Sequence, residues 1–197
     1  VRGIYDIIVK PSGSRYNNSK SIGNKSLILN TEIFNHQYIN REAEVIEVPV
    51  VNLLNLSKGD LIVLHHNVFR RWHDVKAREK NSRSYLREGE YFVQPNQVFL
   101  TKAPGAGWEC VKGYCFVQPI KTIDKLSLEE ERPLMGVVKY SDGTVSKGDM
   151  VGFTPGDEFE FVVDGRRMYR VMSKFITIKY EYQGDEEEYN PSWAQSG

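Results

Sequence analysis

The chain has little of what would mark a secreted, membrane-spanning or metal-dependent protein. It contains only two cysteines, Cys110 and Cys115, with no disulfide framework around them. They read as reduced thiols of a cytoplasmic protein (host cytoplasm if the chain is viral, the virion if it is structural). As a zinc half-site the pair lacks its second pair. The four histidines include the cluster His65, His66 and His73 beside Asp74, but no known metal-ligand spacing is completed there, so no metal or other cofactor is expected. Apolar runs are short, such as Leu61-Ile62-Val63-Leu64, against the roughly 20 residues a spanning helix needs, so no membrane partner is expected. Asp6, Lys10 and Arg15 break up the first twenty residues, which therefore do not read as a secretory signal. Net charge is also missing: 26 basic residues balance 26 acidic ones, which argues against holding nucleic acid by overall positive potential. There is no glycine-rich phosphate cradle and no nucleophile elbow, and an enzyme is not expected.

The 197 residues are 40% hydrophobic and 26% charged, enough apolar surface for a packed core and too much for a disordered chain. Helical periodicity is lacking as well. The nearest approach, 75–85, is almost wholly polar and reads as a short helix or a loop. Strand signals dominate instead. Runs of β-branched and aromatic residues at 5–9, 43–48, 61–64, 91–93 and 98–100 are bounded by Gly, Pro, Asn and Asp. The second half continues with 114–117, 136–140, 150–153, 159–163, 168–171 and 175–182. The fold class is all-β.

The two halves also repeat each other. Ser57-Lys58-Gly59-Asp60 followed by Leu61–Leu64 recurs as Ser146-Lys147-Gly148-Asp149 followed by Met150–Phe153. In each, a turn whose glycine suits positive φ launches an apolar strand. Residues 43–48 parallel 135–140, Ile7-Ile8-Val9-Lys10-Pro11 parallels Cys115-Phe116-Val117-Gln118-Pro119, and 92–102 parallels 169–179. Four matches in one order indicate two copies of one small barrel, at 1–103 and 112–182, joined through the linker-like Ala103-Pro104-Gly105-Ala106-Gly107. Three segments differ between the copies or lie outside them. The first copy carries a polar insert at 12–26, where the second has an acidic stretch at 121–132. The first also has a long connection at 67–89, against a tight turn at Asp164-Gly165. An acidic and polar tail, 183–197, is expected to be disordered at its end.

This strand grammar resembles the GroES family of co-chaperonins: Ile-Ile-Val-Lys-Pro, a polar loop ending in aliphatics, a Glu-Val strand, then Lys-Gly-Asp. The tandem arrangement is similar to the double co-chaperonin of chloroplasts, and divergent viral members exist. The resemblance implies two GroES-like β-barrels that assemble into a homo-oligomer, cap a chaperonin ring and assist protein folding without chemistry of their own. It also implies that Leu27, Ile28 and Leu29, at the end of the loop, dock on the chaperonin. In the second copy Pro133-Leu134-Met135 stands where that grip belongs. Strand edges, with 4–11 and 175–182 as the terminal strands, are the expected route of self-association.

Two other functions fit parts of the sequence. One is a viral structural or assembly protein, for instance from a bacteriophage, that reuses the barrels as interaction modules. Trp72, Trp108, Trp193 and the many tyrosines suit interfaces. The other is single-stranded nucleic-acid binding through the basic-aromatic connection, with Arg70, Arg71, Trp72 and Lys76 as contacts. Asp74 and Glu79 dilute that charge, which makes nucleic acid the less favoured partner.

Overall fold

A computed structural model describes residues 1–17, 19–22, 25–28, 36–124, 126, 128–181 and 186–196. The chain divides into two compact units, Val1–Trp108 and Glu109–Gly197. Both are β-structures, and the described residues add only short 3₁₀ turns.

The first unit contains β1 (Ile7–Pro11), β2 (Ser19–Ile22), β3 (Lys25–Ile28), β4 (Glu42–Glu47) and β5 (Leu61–Leu64). It continues with β6 (Arg71–His73), β7 (Glu79–Asn81), β8 (Tyr85–Arg87), β9 (Glu90–Val93) and β10 (Val98–Lys102). Within this unit the sheet runs β10-β5-β4-β1-β9-β8, while β2–β3 and β6–β7 form separate hairpins. The second unit has a short β11 (Glu109–Cys110), then β12 (Tyr114–Lys121), β13 (Glu131–Ser141) and β14 (Met150–Phe153). It ends with β15 (Phe159–Val163), β16 (Arg166–Met172) and β17 (Ile176–Tyr180). Its sheet runs β17-β14-β13-β12-β16-β15. In chain order, strand for strand, this is the arrangement of the first unit.

The likeness extends to the irregularities. The pairing of β1 with β4 shifts register between Ile8 and Val9, and that of β12 with β13 shifts between Phe116 and Val117. A second shift falls between Val98 and Leu100 in β10, and its counterpart lies between Gly152 and Phe153 in the pairing of β14 with β17. The Lys-Gly-Asp turns are closed by the same bonds. Val45 N donates to Asp60 O at 2.8 Å and Gly59 N to Val45 O at 2.8 Å; Val138 N donates to Asp149 O at 2.9 Å and Gly148 N to Val138 O at 2.8 Å. Gly59 and Gly148 have φ of 88° and 92°, a region open to glycine at no steric cost. Each carboxylate also accepts the turn's serine N–H, Ser57 at 2.8 Å and Ser146 at 3.0 Å.

These pairings correct the sequence alignment by one residue in two segments. Val9 faces Val45 and Val117 faces Val138, so Ala43 corresponds to Gly136, not to Met135. Val9 also faces Tyr91 and Val117 faces Tyr169, so the counterpart of Phe92 is Arg170. Residues matched by hydrophobicity alone slide easily in β-structure, whereas cross-strand hydrogen bonds fix the register.

The cores follow the strand faces. Ile7, Val9, Val45, Ile62, Leu64 and Leu100 are buried in the first unit. In the second, Val117, Val138, Val151, Phe153 and Val171 form one cluster and Ile120, Val137 and Met150 another.

Four expectations need correction. Residues 75–85 form no helix: they hold β7 and the start of β8, because Asp74 closes a tight turn that returns the chain as a hairpin. The long connection of the first unit lies upstream of the place expected. Both units have a tight turn before the fifth strand of the sheet, and the extra length sits at 65–84 against 154–158. β1 is not an edge, since β4 and β9 flank it; β17, at the end of its sheet's strand order, is one. Finally, the tail is held in place from Glu187 to Ala194 rather than loose over its length. Lys121 N donates to Glu187 O at 2.7 Å and Tyr189 N to Pro119 O at 2.8 Å. Lys121 and Lys139 pair with Glu187 and Glu188, and Pro191 and Ala194 are buried. Backbone bonds and ion pairs hold this stretch where apolar content alone would not.

Candidate docking loops and charged surfaces

The polar insert of the first unit is ordered at its base. Arg15 Nε donates to Phe69 O at 2.5 Å, its Nη1 to Asn81 Oδ1 at 2.6 Å and its Nη2 to Arg70 O at 3.1 Å. Burial lowers the Arg15 pKa from its ordinary value. Tyr16 Oη accepts the Arg71 N–H at 2.8 Å, and the Arg71 guanidinium lies 4.7 Å from the Tyr16 ring centroid. Asn40 Nδ2 donates to the carbonyls of Ser12 and Ser14, both at 2.9 Å. From this clamped base the chain runs into the β2–β3 hairpin, where Ser19 faces Ile28 and Lys20 faces Leu27.

Of the expected docking residues, Leu27 is in β3 with 54% of its surface exposed. Ile28 ends that strand, and Leu29 lies outside the described residues. The corresponding connection of the second unit, between β12 and β13, leaves Ile123, Leu126 and Leu128 almost wholly exposed. These three were missed as candidates because they are scattered among acidic residues instead of forming a run. Pro133, Leu134 and Met135 are placed in β13, with Leu134 and Met135 packed on the core clusters, so they do not form the grip of that loop.

The basic connection folds as the β6–β7 hairpin. Arg71 faces Asn81, Trp72 faces Lys80 and His73 faces Glu79. Asp74 Oδ1 accepts the N–H groups of Lys76 and Arg78 at 2.9 and 3.0 Å, and its Oδ2 pairs with the Arg78 guanidinium at 2.9 Å. The Arg78 N–H above all, with that guanidinium, holds the Asp74 pKa below the usual carboxylate value. Arg71 pairs with Glu79 at 3.1 Å. Both acids of the hairpin are thus engaged, and Arg70, Lys76, Lys80 and Arg83 have no ion pair among the described residues. Arg70, Trp72, His73 and Arg83 line an open cleft of about 540 Å³. Of the expected nucleic-acid contacts, the structure brings Arg70 and Trp72 together there, engages Arg71 with Glu79 and Tyr16, and places Lys76 in the turn. Arg83 was not among the expected contacts, since 13 residues separate it from Arg70 in sequence.

The second unit has an opposite surface. A groove of about 600 Å³ is lined by Glu129, Glu130, Glu131, Glu158 and Glu160, with Arg167 as the single cation among its described lining residues. Arg167 pairs with Glu160 at 2.7 Å and with Glu131, and its guanidinium lies 4.8 Å from the Tyr169 ring centroid. Burial alone would lower the Arg167 pKa, but bonds to the two glutamates raise it. Burial, then the bond to Glu131, pushes the Tyr169 hydroxyl up to about 12. Leu134, Phe153, Pro191 and Trp193 supply apolar walls.

The cysteines are apart from these surfaces. Cys110 Sγ donates to Tyr114 O at 3.0 Å, and burial raises its thiol pKa well above the usual range. Cys115 is buried with Sγ 3.4 Å from Ser173 Oγ. His65 stacks on His66 at 4.3 Å between centroids, and among the described residues no group of three His, Cys, Asp or Glu is placed to hold a metal. No helix among the described residues is long and apolar enough to cross a membrane. No protein-family model matches the chain, and neither does any curated protein sequence.

Proposed function

We propose that the protein is a co-chaperonin: two GroES-like units present aliphatic loops to a chaperonin ring and cap it during protein folding. One observation carries the reading. In both units the connection between the first two sheet strands in chain order, β1 to β4 and β12 to β13, holds exposed aliphatic side chains, Leu27 in one and Ile123, Leu126 and Leu128 in the other. Apolar groups held out of the core at a repeated position suit a docking role, since leaving each in water forgoes roughly 1.5–3 kcal/mol that burial would return. Two loops on one chain also raise the effective concentration of the second once the first has bound.

The test is capture by a GroEL-like ring of the full chain and two variants. One carries Leu27, Ile28 and Leu29 changed to Ser; the other carries Ile123, Leu126 and Leu128 changed to Ser. Each variant is expected to lose at least about tenfold in affinity, and the second, whose three side chains are almost wholly exposed, should keep its melting temperature. A wild-type chain that never binds the ring ends the proposal. Variants that bind as well as wild type end the role of these loops.

A further inference from the structure

The chain's zero net charge hides a division between its units. The first has 15 basic and 10 acidic residues and the second 11 and 16, so they carry +5 and −5. The positive excess is concentrated at 70–83, which holds six basic residues and two acidic ones. On the second unit five glutamates meet one arginine in the groove, and that arginine is taken by Glu131 and Glu160. Glu130 bonds to the neutral hydroxyl of Tyr189 and Glu158 accepts the Gly156 N–H at 2.7 Å, and among the described residues neither carboxylate has an ion pair.

The tryptophans follow the same division. Trp108 is buried at 8% exposure, whereas Trp72 and Trp193 are 44% and 55% exposed. One exposed tryptophan lies in the basic cleft and the other in the acidic groove. An indole beside charge without an ion pair is the composition of an interface core, where aromatic anchors fill pockets and opposite charges set the register.

We infer that the two surfaces bind each other between copies: the β6–β7 hairpin, through Arg70, Arg83 and Trp72, docks in the Glu130, Glu158 and Trp193 groove of a second copy of this chain. Charge complementarity selects this occupant. Glu130 and Glu158 suit a cationic partner, and each additional copy brings one with a matching indole. Made reciprocally, the contact closes a two-fold pair; made head to tail, it builds a ring or filament. The inference is independent of whether either loop docks on a chaperonin.

Sedimentation of the full chain across a concentration series, at low and high ionic strength, tests it. Self-association is expected at low salt and should weaken roughly tenfold or more at high salt, because the charges are at the surface. Arg70→Ser with Arg83→Ser, and separately Glu130→Gln with Glu158→Gln, should each remain monomeric, while an equimolar mixture of the two should associate through its one intact hairpin–groove contact. Acrylamide quenching of the wild type gives a reading that needs no variant: Trp72 and Trp193 should become shielded as concentration rises. A wild type that stays monomeric at low salt, variants that associate like wild type, or quenching that is independent of concentration each overturn the inference. So does a monomer that binds oligothymidylate through Arg70 and Arg83, which would make the hairpin a nucleic-acid surface.

Discussion

The two units place a tyrosine at the same point of the same strand and cover it with an arginine that arrives by a different route. Tyr91 and Tyr169 face Val9 and Val117 in corresponding registers. Over Tyr91, at 5.1 Å from the ring centroid, lies Arg15 from the base of the polar insert. Over Tyr169 lies Arg167, two residues back on its own strand. Backbone geometry is common to the units, and the partner of a shared position differs between them. In the first unit the arginine anchors an added hairpin through the carbonyls of Phe69 and Arg70; in the second it gathers the glutamates of a groove.

The largest expected effect breaks this comparison at the arginines. Arg167→Met removes the cation that pairs with both Glu131 and Glu160, and should destabilise the second unit by about 2–4 kcal/mol. Arg15→Met should cost only about 1–2 kcal/mol, as lost hydrogen bonds, and loosen the β6–β7 hairpin. Hydrogen exchange read by mass spectrometry on the full chain assigns each loss to its unit. Equal losses would show that the two arginines do the same job.

A smaller effect sharpens the comparison where the strands cross most closely. A Cβ on Gly136 would come within 2.3 Å of Gln118 O and 2.7 Å of Val117 Cγ1, while its counterpart Ala43 carries a Cβ in the buried core. Gly136→Ala is expected to cost about 1–3 kcal/mol by overpacking, and Ala43→Gly about 0.5–1 kcal/mol through chain entropy. Urea unfolding of the two variants measures both. A tolerated alanine at 136 would mean that the second unit crosses its strands as loosely as the first.

The smallest effect depends on pH. Asp142 Oδ2 accepts from Gly113 N at 2.7 Å and Ser173 Oγ at 2.9 Å, and Oδ1 from Thr144 N at 3.0 Å. Burial would raise its pKa, but these donors outweigh burial and hold it below the usual 3.8. Its contribution is therefore present above the unfolded value and lost as pH falls through the lower folded one. The register puts Pro49 at the corresponding place in the first unit. Asp142→Asn should lower the melting temperature slightly at neutral pH and flatten its fall below about pH 4, with protection lost in the second unit alone. An unchanged acid slope would remove Asp142 from the account.

Most sheet strands were legible in sequence because each combines an apolar run with turn residues at both ends; β8, read as part of the long connection, was not. Leu61–Leu64, Met150–Phe153 and Phe159–Val163 fall where the pattern puts them. The repeated Lys-Gly-Asp turn was readable for the same reason: its glycine and carboxylate both have backbone work to do. The β6–β7 hairpin was not legible. Its strands bury almost nothing, so no alternation marks them, and they are held by Asp74 and by Arg15 from far along the chain. The basic-aromatic character of the connection could be read at Arg70 and Trp72, but joining Arg83 to them required the hairpin itself. The acidic groove could not be assembled from sequence, because 129–131, 158–160 and 191–193 meet only after three separate strands and the returning tail are in place.

The paired register shifts bear on ancestry. A one-residue bulge reverses the facing of every side chain beyond it, so moving it in a working sheet would turn a core outward in a single step. Side chains face no such barrier and drift one at a time, as Ile8 and Phe116, or Phe92 and Arg170, have done at corresponding positions. The kinks outlast the letters around them. Matching kinks after the second residue of the Ile-Ile-Val-Lys-Pro segment and of its Cys-Phe-Val-Gln-Pro counterpart point to a single gene segment copied in tandem. The two copies now differ in charge, one with a basic hairpin and the other with an acidic groove.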